Sequence, residues 1–191
     1  MFMFDIETLG TESSTVVLSA AITYFDGKEK LSYQNYLDKT LFVKFNATDQ
    51  IKRLKRTVDK DTLEWWNKQA EYVRNQSIKP KPDDYLAEDG IDKIVQYMNK
   101  FENSKEQIMW ARGSLDQVVI DSLCKGVDKP TITEYYNWRD VRTAIDILYG
   151  SSNGYCEVDH PEFNREMIPK HLPYHDCCLD VMMLTQGKEK I

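Results

Sequence analysis

The sequence predicts an α/β protein built on a mixed β-sheet. Three segments near the amino terminus are rich in strand-forming residues, and helices then alternate with short strands. The chain has 191 residues, enough for a hydrophobic core, and we expect residues 1–191 to form a single domain. A hydrophobic content of 41% and a charged content of 29% are ordinary for a globular protein.

The amino-terminal half is predicted to supply three antiparallel strands. The first strand is MFMFDIETLG, the second spans residues 16–25, and the third lies within residues 31–45. Asp26 and Gly27 indicate a hairpin turn between the second and third strands. Apolar spacing and two prolines then predict a helical region over residues 46–76, a loop at IKPKPDD and a helix within residues 83–101.

The carboxyl-terminal half is predicted to alternate between short strands and helices. Residues 150–170 contain glycines, serines and two prolines, and they are expected to be irregular. The regular elements are expected to be strands at 107–111 and 135–138, and helices at 115–124, 141–148 and 173–185. This order of elements supports the mixed sheet.

Net charge and cysteine content narrow the class of protein. A net charge of −6 argues against a basic surface that coats nucleic acid, although bound metal ions can supply positive charge locally. No apolar run approaches the roughly 20 residues that cross a bilayer, so no membrane partner is expected. The four cysteines include no CxxC pair, which favours a reducing, cytoplasmic location.

Two acids interrupt the first strand. Side chains two residues apart on a strand share a face, so Asp5 and Glu7 are expected to project together while Phe4 and Ile6 point into the core. Adjacent carboxylates repel each other and are rarely buried without a positive partner. The alternative is a solvated face at a sheet edge. We favour a metal site.

Two further acids complete a candidate ligand set. Asp116 follows a short strand at the start of a helix, and Asp180 lies on the last helix. Taken alone, Asp116 would be an acid at a helix amino terminus and Asp180 a polar surface residue. Together, four carboxylates suit two Mg²⁺ or Mn²⁺ ions, which in such sites lie roughly 3.5–4 Å apart.

A histidine stands near the last acid. His175 precedes Asp180 by five residues, a step of about 140° on a helix, which suits separate roles better than shared ligation. His175 could then take a proton from the attacking water. Asp176 is a competing acid without an assigned role. A zinc site from His171, His175 and a cysteine is a further alternative, disfavoured by Pro173.

The order Asp-x-Glu, then Asp after a strand, then His-x4-Asp resembles the DEDDh-type 3′-5′ exonucleases of the RNase H-like superfamily. The stretches DTLEWWNKQ and WRDVRTAID are similar to segments of the phage exonuclease A (DexA-like) group and of related bacterial exoribonucleases. The resemblance runs from Phe4 to about Leu184. It implies an RNase H-like fold, two Mg²⁺ ions that Mn²⁺ can replace, and stepwise release of nucleoside monophosphates.

The resemblance also implies roles for individual residues. It makes His175 the general base and leaves open which acid holds which ion. The metal ligands that it implies are Asp5, Glu7, Asp116 and Asp180. Thr8 could contact the terminal sugar.

Other substrate contacts are expected from the residues themselves. Apolar residues beside the acids could wedge the terminal bases apart. Adjacent residues on a helix point about 100° apart, so one of Trp65 and Trp66 is expected in the core while the other could stack on a base. We therefore predict substrate contacts from Ile6, Thr8, Leu9, Leu115 and Trp66.

Two groups of basic residues have simpler interpretations. Lys52, Arg53, Lys55 and Arg56 form a cluster that is expected to be a solvated helix face, with a phosphate track as the functional alternative. Arg142 is expected to pair with Asp140 or Asp146.

The predicted function is 3′-5′ exonuclease activity on single-stranded 3′ ends, with DNA favoured, in the cytoplasm of a bacterium or of a phage-infected host cell. One alternative is an exoribonuclease that trims RNA 3′ ends. Another is a catalytically silent RNase H-like module that binds nucleic acid. A structural Ca²⁺ protein is disfavoured because the chain lacks a twelve-residue Asp/Asn loop. The sequence carries no signal of oligomeric state.

Overall fold

A five-stranded mixed sheet forms the centre of the protein, whose computed structural model describes residues 1–101 and 107–188. Its strands are β1 (Phe2–Thr8), β2 (Val17–Tyr24), β3 (Thr40–Lys44), β4 (Met109–Ala111) and β5 (Trp138–Asp140). The spatial order is β3-β2-β1-β4-β5, with β1, β2 and β3 antiparallel and β1, β4 and β5 parallel. The predicted α/β fold with a mixed sheet is confirmed, and this arrangement is consistent with an RNase H-like fold.

Helices cover both faces of the sheet. They are α1 (Tyr33–Asp38), α2 (Ala47–Lys52), α3 (Lys60–Asn67), α4 (Glu71–Ser77), α5 (Ala87–Met98), α6 (Leu115–Gly126), α7 (Val141–Tyr149) and α8 (Pro173–Gln186). Single 3₁₀ turns occur at Tyr135–Asn137 and Arg165–Met167. Within the described ranges, no helix is both long enough and apolar enough to cross a membrane.

The two faces of β1 belong to different hydrophobic clusters. Phe2, Phe4 and Ile6 pack with residues of α5 and α6, whereas Met3 packs with residues of α8, α7 and α1. Because side chains alternate along a strand, Asp5 and Glu7 lie on the same face as Met3 and are directed towards α8. The last helix therefore covers the face of β1 that carries the acids.

The predicted hairpin between the second and third strands is wrong. Helix α1 separates β2 from β3, with Ser32 as its amino-terminal cap and Tyr36 buried against the sheet. The Asp26 carboxylate accepts hydrogen bonds from the backbone N–H groups of Lys28 and Glu29, which closes a local turn instead of a hairpin. The cap and the buried tyrosine outweigh the extended pattern of residues 31–45.

The other predicted elements are confirmed with small shifts. The helical region over residues 46–76 consists of three short helices, and residues 150–170 are irregular apart from one 3₁₀ turn. The strand expected at residues 135–138 begins later, because a 3₁₀ turn occupies Tyr135–Asn137 and β5 starts at Trp138.

Candidate active site

The carboxyl end of β1 brings two acids to the interior face of α8. Asp5 and Glu7 lie on one face of the strand as predicted, and both line a cleft of about 970 Å³. The lining side chains are acidic, basic and apolar: Asp5, Ile6, Glu7, Arg112, Leu115, Asp116, Arg142, Tyr155, Arg165, Glu166, Ile168, Lys170, His171, Asp176, Leu179 and Asp180.

The third acid comes from α6 and approaches the backbone of β1. Asp116 is in the first turn of α6 and accepts a hydrogen bond from the backbone N–H of Ile6. This contact fixes its carboxylate between the positions of Asp5 and Glu7 along the strand. The structure therefore brings Asp116 into the site that the sequence predicts.

Helix α8 contributes two acids, one more than the sequence analysis assigned. Asp176 and Asp180 are four residues apart, so they share a face of the helix. Carboxylate oxygens of Asp5, Glu7 and Asp176 all lie within 4.8 Å of one another, and no other group of three potential metal ligands occurs in residues 1–101 and 107–188. That result gives no support to the zinc alternative.

Burial and mutual repulsion destabilise the ionised form of these carboxylates, so they hold their protons more tightly than an exposed acid does. Desolvation, followed by the charges of neighbouring acids, raises the pKa of Asp5 and Glu7 well above the usual range. Burial raises the pKa of Asp116 to about 7, and burial together with Asp180 raises the pKa of Asp176 to about 6. The site therefore favours either protons or a cation.

No side-chain cation of the described residues pairs with these four acids. The ion pairs in this part of the chain include none to Asp5, Glu7, Asp116 or Asp176 within 4.0 Å. Hard carboxylate oxygens that converge without an ion-paired lysine or arginine are the donor set that Mg²⁺ and Mn²⁺ prefer. The residues present therefore fit divalent cations.

Asp180 has a different environment. Nε of Arg112 lies 3.2 and 3.1 Å from its two carboxylate oxygens, and Nη2 donates to Oδ1 at 2.5 Å. The same guanidinium donates through Nη1 to the carbonyl oxygen of Gly154 at 2.7 Å and lies 4.2 Å from the ring centroid of Tyr155. No motif in the sequence predicts a role for Arg112 in the site.

The two histidines near the acids differ in position. His171 lines the cleft, and its backbone N–H donates to Asp176 at 3.1 Å. His175 is absent from the cleft lining, and its Nδ1 is hydrogen-bonded to the hydroxyl of Tyr33. Burial lowers the pKa of both rings below the usual value. The structure thus does not bring the predicted general base together with the acids.

The spacing of histidines and aspartates in the sequence also indicates a role for Asp176. The His-x4-Asp spacing occurs twice in KHLPYHDCCLD, once from His171 to Asp176 and once from His175 to Asp180. The resemblance assigns roles to the second pair, and the first pair has the same spacing. The helical repeat alone also predicts that Asp176 and Asp180 share a face.

Two of the predicted substrate contacts line the cleft. Ile6 and Leu115 are on its wall. The Thr8 hydroxyl donates to the carbonyl oxygen of Gly10 at 2.6 Å, so it is engaged within the chain. Leu9 is only 5% exposed and packs in an apolar cluster below the strand end, which contradicts a role as a wedge between bases.

The assignment of Trp66 to base stacking is wrong. Trp66 is 0% exposed, and its Nε1 donates to the carbonyl oxygen of Thr8 at 2.9 Å. Trp65 is 39% exposed and makes an edge-to-face contact with His171, with ring centroids 4.7 Å apart. One tryptophan is in the core and one is exposed, as expected, but the two are exchanged.

The basic cluster is exposed at Lys52, Arg53 and Lys55, as expected of a solvated face, whereas Arg56 is buried. Arg53 pairs with Asp49 and Glu88, and buried Arg56 donates to the carbonyl oxygens of Ser13 and Thr15. These two arginines are therefore engaged within the chain, which gives no support to the phosphate track. The Arg142 side chain makes no ion pair with Asp140 or Asp146 in the part of the chain described, and it lines the cleft.

Comparison with known proteins identifies one family. The family model described as the 3′-5′ exoribonuclease Rv2179c-like domain matches residues 1–171. The match includes Asp5, Glu7 and Asp116 and ends before Asp176 and Asp180. No curated protein matches the chain.

Proposed function

The chain belongs to the Rv2179c-like 3′-5′ exoribonuclease domain family, and we propose that it removes nucleotides stepwise from the 3′ end of single-stranded RNA with the help of divalent metal ions. The observation that carries this proposal is the convergence of Asp5, Glu7 and Asp176 within 4.8 Å, without an ion pair to a lysine or arginine among the described residues. A module that only binds nucleic acid gains nothing from such a cluster, because the carboxylates repel phosphates.

The acids have distinct positions with respect to two Mg²⁺ or Mn²⁺ ions. Asp5, Glu7 and Asp176 would hold one ion, and Asp116 and Asp180, which line the same cleft, would help to hold a second. When bound, such ions activate water for attack on a phosphodiester and stabilise the negative charge that develops. The order of the acids along the chain supports membership of the DEDDh branch.

His175 is the proposed proton acceptor. In the tautomer in which Nδ1 donates its proton to the Tyr33 hydroxyl oxygen, Nε2 is the ring nitrogen that accepts a proton, and Tyr33 orients the base as a third group does in other base-assisted sites. In this role Nε2 would face the acids when substrate is bound. His171 is the competing candidate, because it already lines the cleft and has the same spacing to Asp176.

Cationic and aromatic residues around the acids suit a single strand. Arg142, Arg165 and Lys170 line the cleft and can contact the phosphates, which gives binding that weakens with salt. Ile6 and Leu115 contribute apolar wall. Exposed Trp65 takes the stacking role that the sequence analysis gave to Trp66, since every base offers a π-face.

RNA is preferred to DNA in this proposal because the family description names an exoribonuclease. The choice differs from the DNA preference expected from the sequence, for which no residue of the cleft offers support. DNA as the better substrate is the alternative outcome of the test.

A direct assay compares single-stranded RNA and DNA of the same sequence, each labelled at the 5′ end, with Mg²⁺ present. We expect a ladder of RNA products that shorten from the 3′ end, and the ladder should be absent for Asp5→Asn. A ladder of equal intensity with Asp5→Asn, or cleavage at internal positions, would contradict the proposal. Faster shortening of DNA than of RNA would show that DNA 3′ ends are the preferred substrate.

A further inference from the structure

Arg112 holds one of the acids that the proposed mechanism needs. Its guanidinium contacts both carboxylate oxygens of Asp180, and both side chains are mostly buried in the cleft wall. A planar guanidinium that meets a carboxylate through two donors forms one of the stronger ion pairs in proteins. The Asp180 oxygens are therefore already engaged by a cation that belongs to the chain.

The position of Arg112 is fixed by the irregular segment between α7 and α8. Gly154 accepts a hydrogen bond from Nη1, and the ring of Tyr155 lies against the guanidinium. Gly154 has a φ of +71°, and a Cβ at this residue would lie 2.7 Å from side-chain atoms of Arg142. The segment thus needs a glycine here to approach the cleft closely enough to hold Arg112.

The other acids have no such partner. Within the described residues Asp5, Glu7 and Asp176 converge without a paired lysine or arginine, so a first divalent ion can bind there without displacing any side chain. A second ion that uses Asp180 must first displace the Arg112 guanidinium. A divalent ion at Asp180 must therefore break an ion pair in order to bind, whereas an ion at Asp5, Glu7 and Asp176 breaks none.

We propose that Arg112 competes with the second divalent ion for Asp180 and so makes the protein bind its two metal ions in a fixed order. The inference rests on the proposed function, because it concerns the same metal site. Arg112 is a positioning residue in this account. Once released it remains in the cleft wall, where its forked donors suit a phosphate of the substrate.

The test measures metal binding without substrate. Metal-free protein is titrated with Mn²⁺ by calorimetry, and free Mn²⁺ is followed in parallel by electron paramagnetic resonance. For the wild type we expect one tighter and one weaker site. In Arg112→Gln the weaker site should tighten by about tenfold or more, because the ion no longer displaces a charge-assisted hydrogen-bonded pair.

Arg142→Gln is the matched control. It removes the same charge from the same cleft, but Arg142 has no ion pair with an acid in the described part of the chain. Loss of positive charge alone should tighten Mn²⁺ binding only slightly in this variant, by less than about threefold. Equal tightening in both variants would reduce the effect to general electrostatics and overturn the inference.

Two other results also decide the matter. Two wild-type sites of equal affinity that Arg112→Gln leaves unchanged would refute the fixed order while leaving the metal site intact. No Mn²⁺ binding by any variant would refute the metal-dependent function itself. If circular dichroism shows that Arg112→Gln does not fold, Arg112→Lys keeps the charge but loses the fork, and it should tighten the weaker site by a smaller factor.

Discussion

The backbone N–H of Ile6 donates a hydrogen bond to Oδ1 of Asp116 at a distance of 3.1 Å. In the described part of the chain, strand β4 pairs with β1 at Phe2 and Met3 alone, so the β4 side of β1 has no strand partner there beyond Met3. A carboxylate from α6 takes the place that a strand carbonyl would otherwise occupy. The early end of β4 is therefore what opens the sheet for an acidic site beside Asp5 and Glu7.

Removing a central carboxylate should abolish activity without unfolding the protein. We expect Asp5→Asn to lower hydrolysis of 5′-labelled RNA by at least about 10³-fold, because metal ions contribute several kcal/mol to such reactions. Exposed Asp146 on α7 provides a matched control, and Asp146→Asn should keep wild-type activity. Comparable losses in both variants would contradict a special role for Asp5.

The metal-free protein should become less stable as the pH rises. Burial raises the pKa of Asp116 to about 7 and of Asp176 to about 6, above the value of about 3.9 expected for an unfolded aspartate. The folded state therefore binds more protons between about pH 4 and pH 7, and the free energy of unfolding falls across that interval. Thermal unfolding in EDTA at pH 5 and pH 8 measures the effect.

Neutralising one of the buried acids should reduce the loss of stability of the metal-free protein at high pH. Asp116→Asn keeps an oxygen that can accept from Ile6 but removes the charge, so we expect a higher melting temperature than the wild type at pH 8 in EDTA, and no gain at pH 5. An increase of about 1 kcal/mol in the free energy of unfolding corresponds to a rise of roughly 2–4 °C in the melting temperature at this chain length. A lower melting temperature at pH 8 would show that the charge is compensated by other means.

The two histidines should differ in their effect on catalysis. A general base typically contributes 10²–10⁴-fold, so we expect His175→Ala to lower the rate of RNA shortening by about that factor. His171→Ala should lose less and should keep the acidic limb of the pH profile that a titrating base produces. The reverse ranking, with the acidic limb lost in His171→Ala, would transfer the role to His171.

Substitution of the two adjacent tryptophans should affect different properties, stability for Trp66 and RNA binding for Trp65. Trp66→Ala creates a large cavity and removes the hydrogen bond to Thr8, so it should destabilise the protein by about 3–5 kcal/mol in urea unfolding. Trp65→Ala should leave stability nearly unchanged and weaken RNA binding by about 1–3 kcal/mol through lost stacking. Equal effects of both changes on RNA affinity at full stability would contradict the assignment.

The strand-borne half of the site is predictable from the sequence, because a strand has a period of two residues. Asp5 and Glu7 must share a face whatever the twist of the sheet, and Phe4 and Ile6 identify the opposite face as core. The helix-borne half is less constrained. Asp176 and Asp180 lie on the same face of α8, and only the packed structure shows that Asp176 is the one that joins Asp5 and Glu7.

Other features depend on contacts between distant segments. The sequence predicts that one of Trp65 and Trp66 is buried, but the choice depends on the rotation of α3 and on the Thr8 carbonyl that needs a donor. Arg112 follows a strand end, and its partner Asp180 lies on another element. Contacts between residues that are distant along the chain, such as these two, produce no periodic pattern in the sequence.

The most direct measurement of the central claim is anomalous diffraction from crystals soaked in Mn²⁺. The account predicts a peak bounded by carboxylate oxygens of Asp5, Glu7 and Asp176, each about 2 Å from the ion. A cleft without a peak at saturating Mn²⁺, in crystals that diffract well, would contradict it.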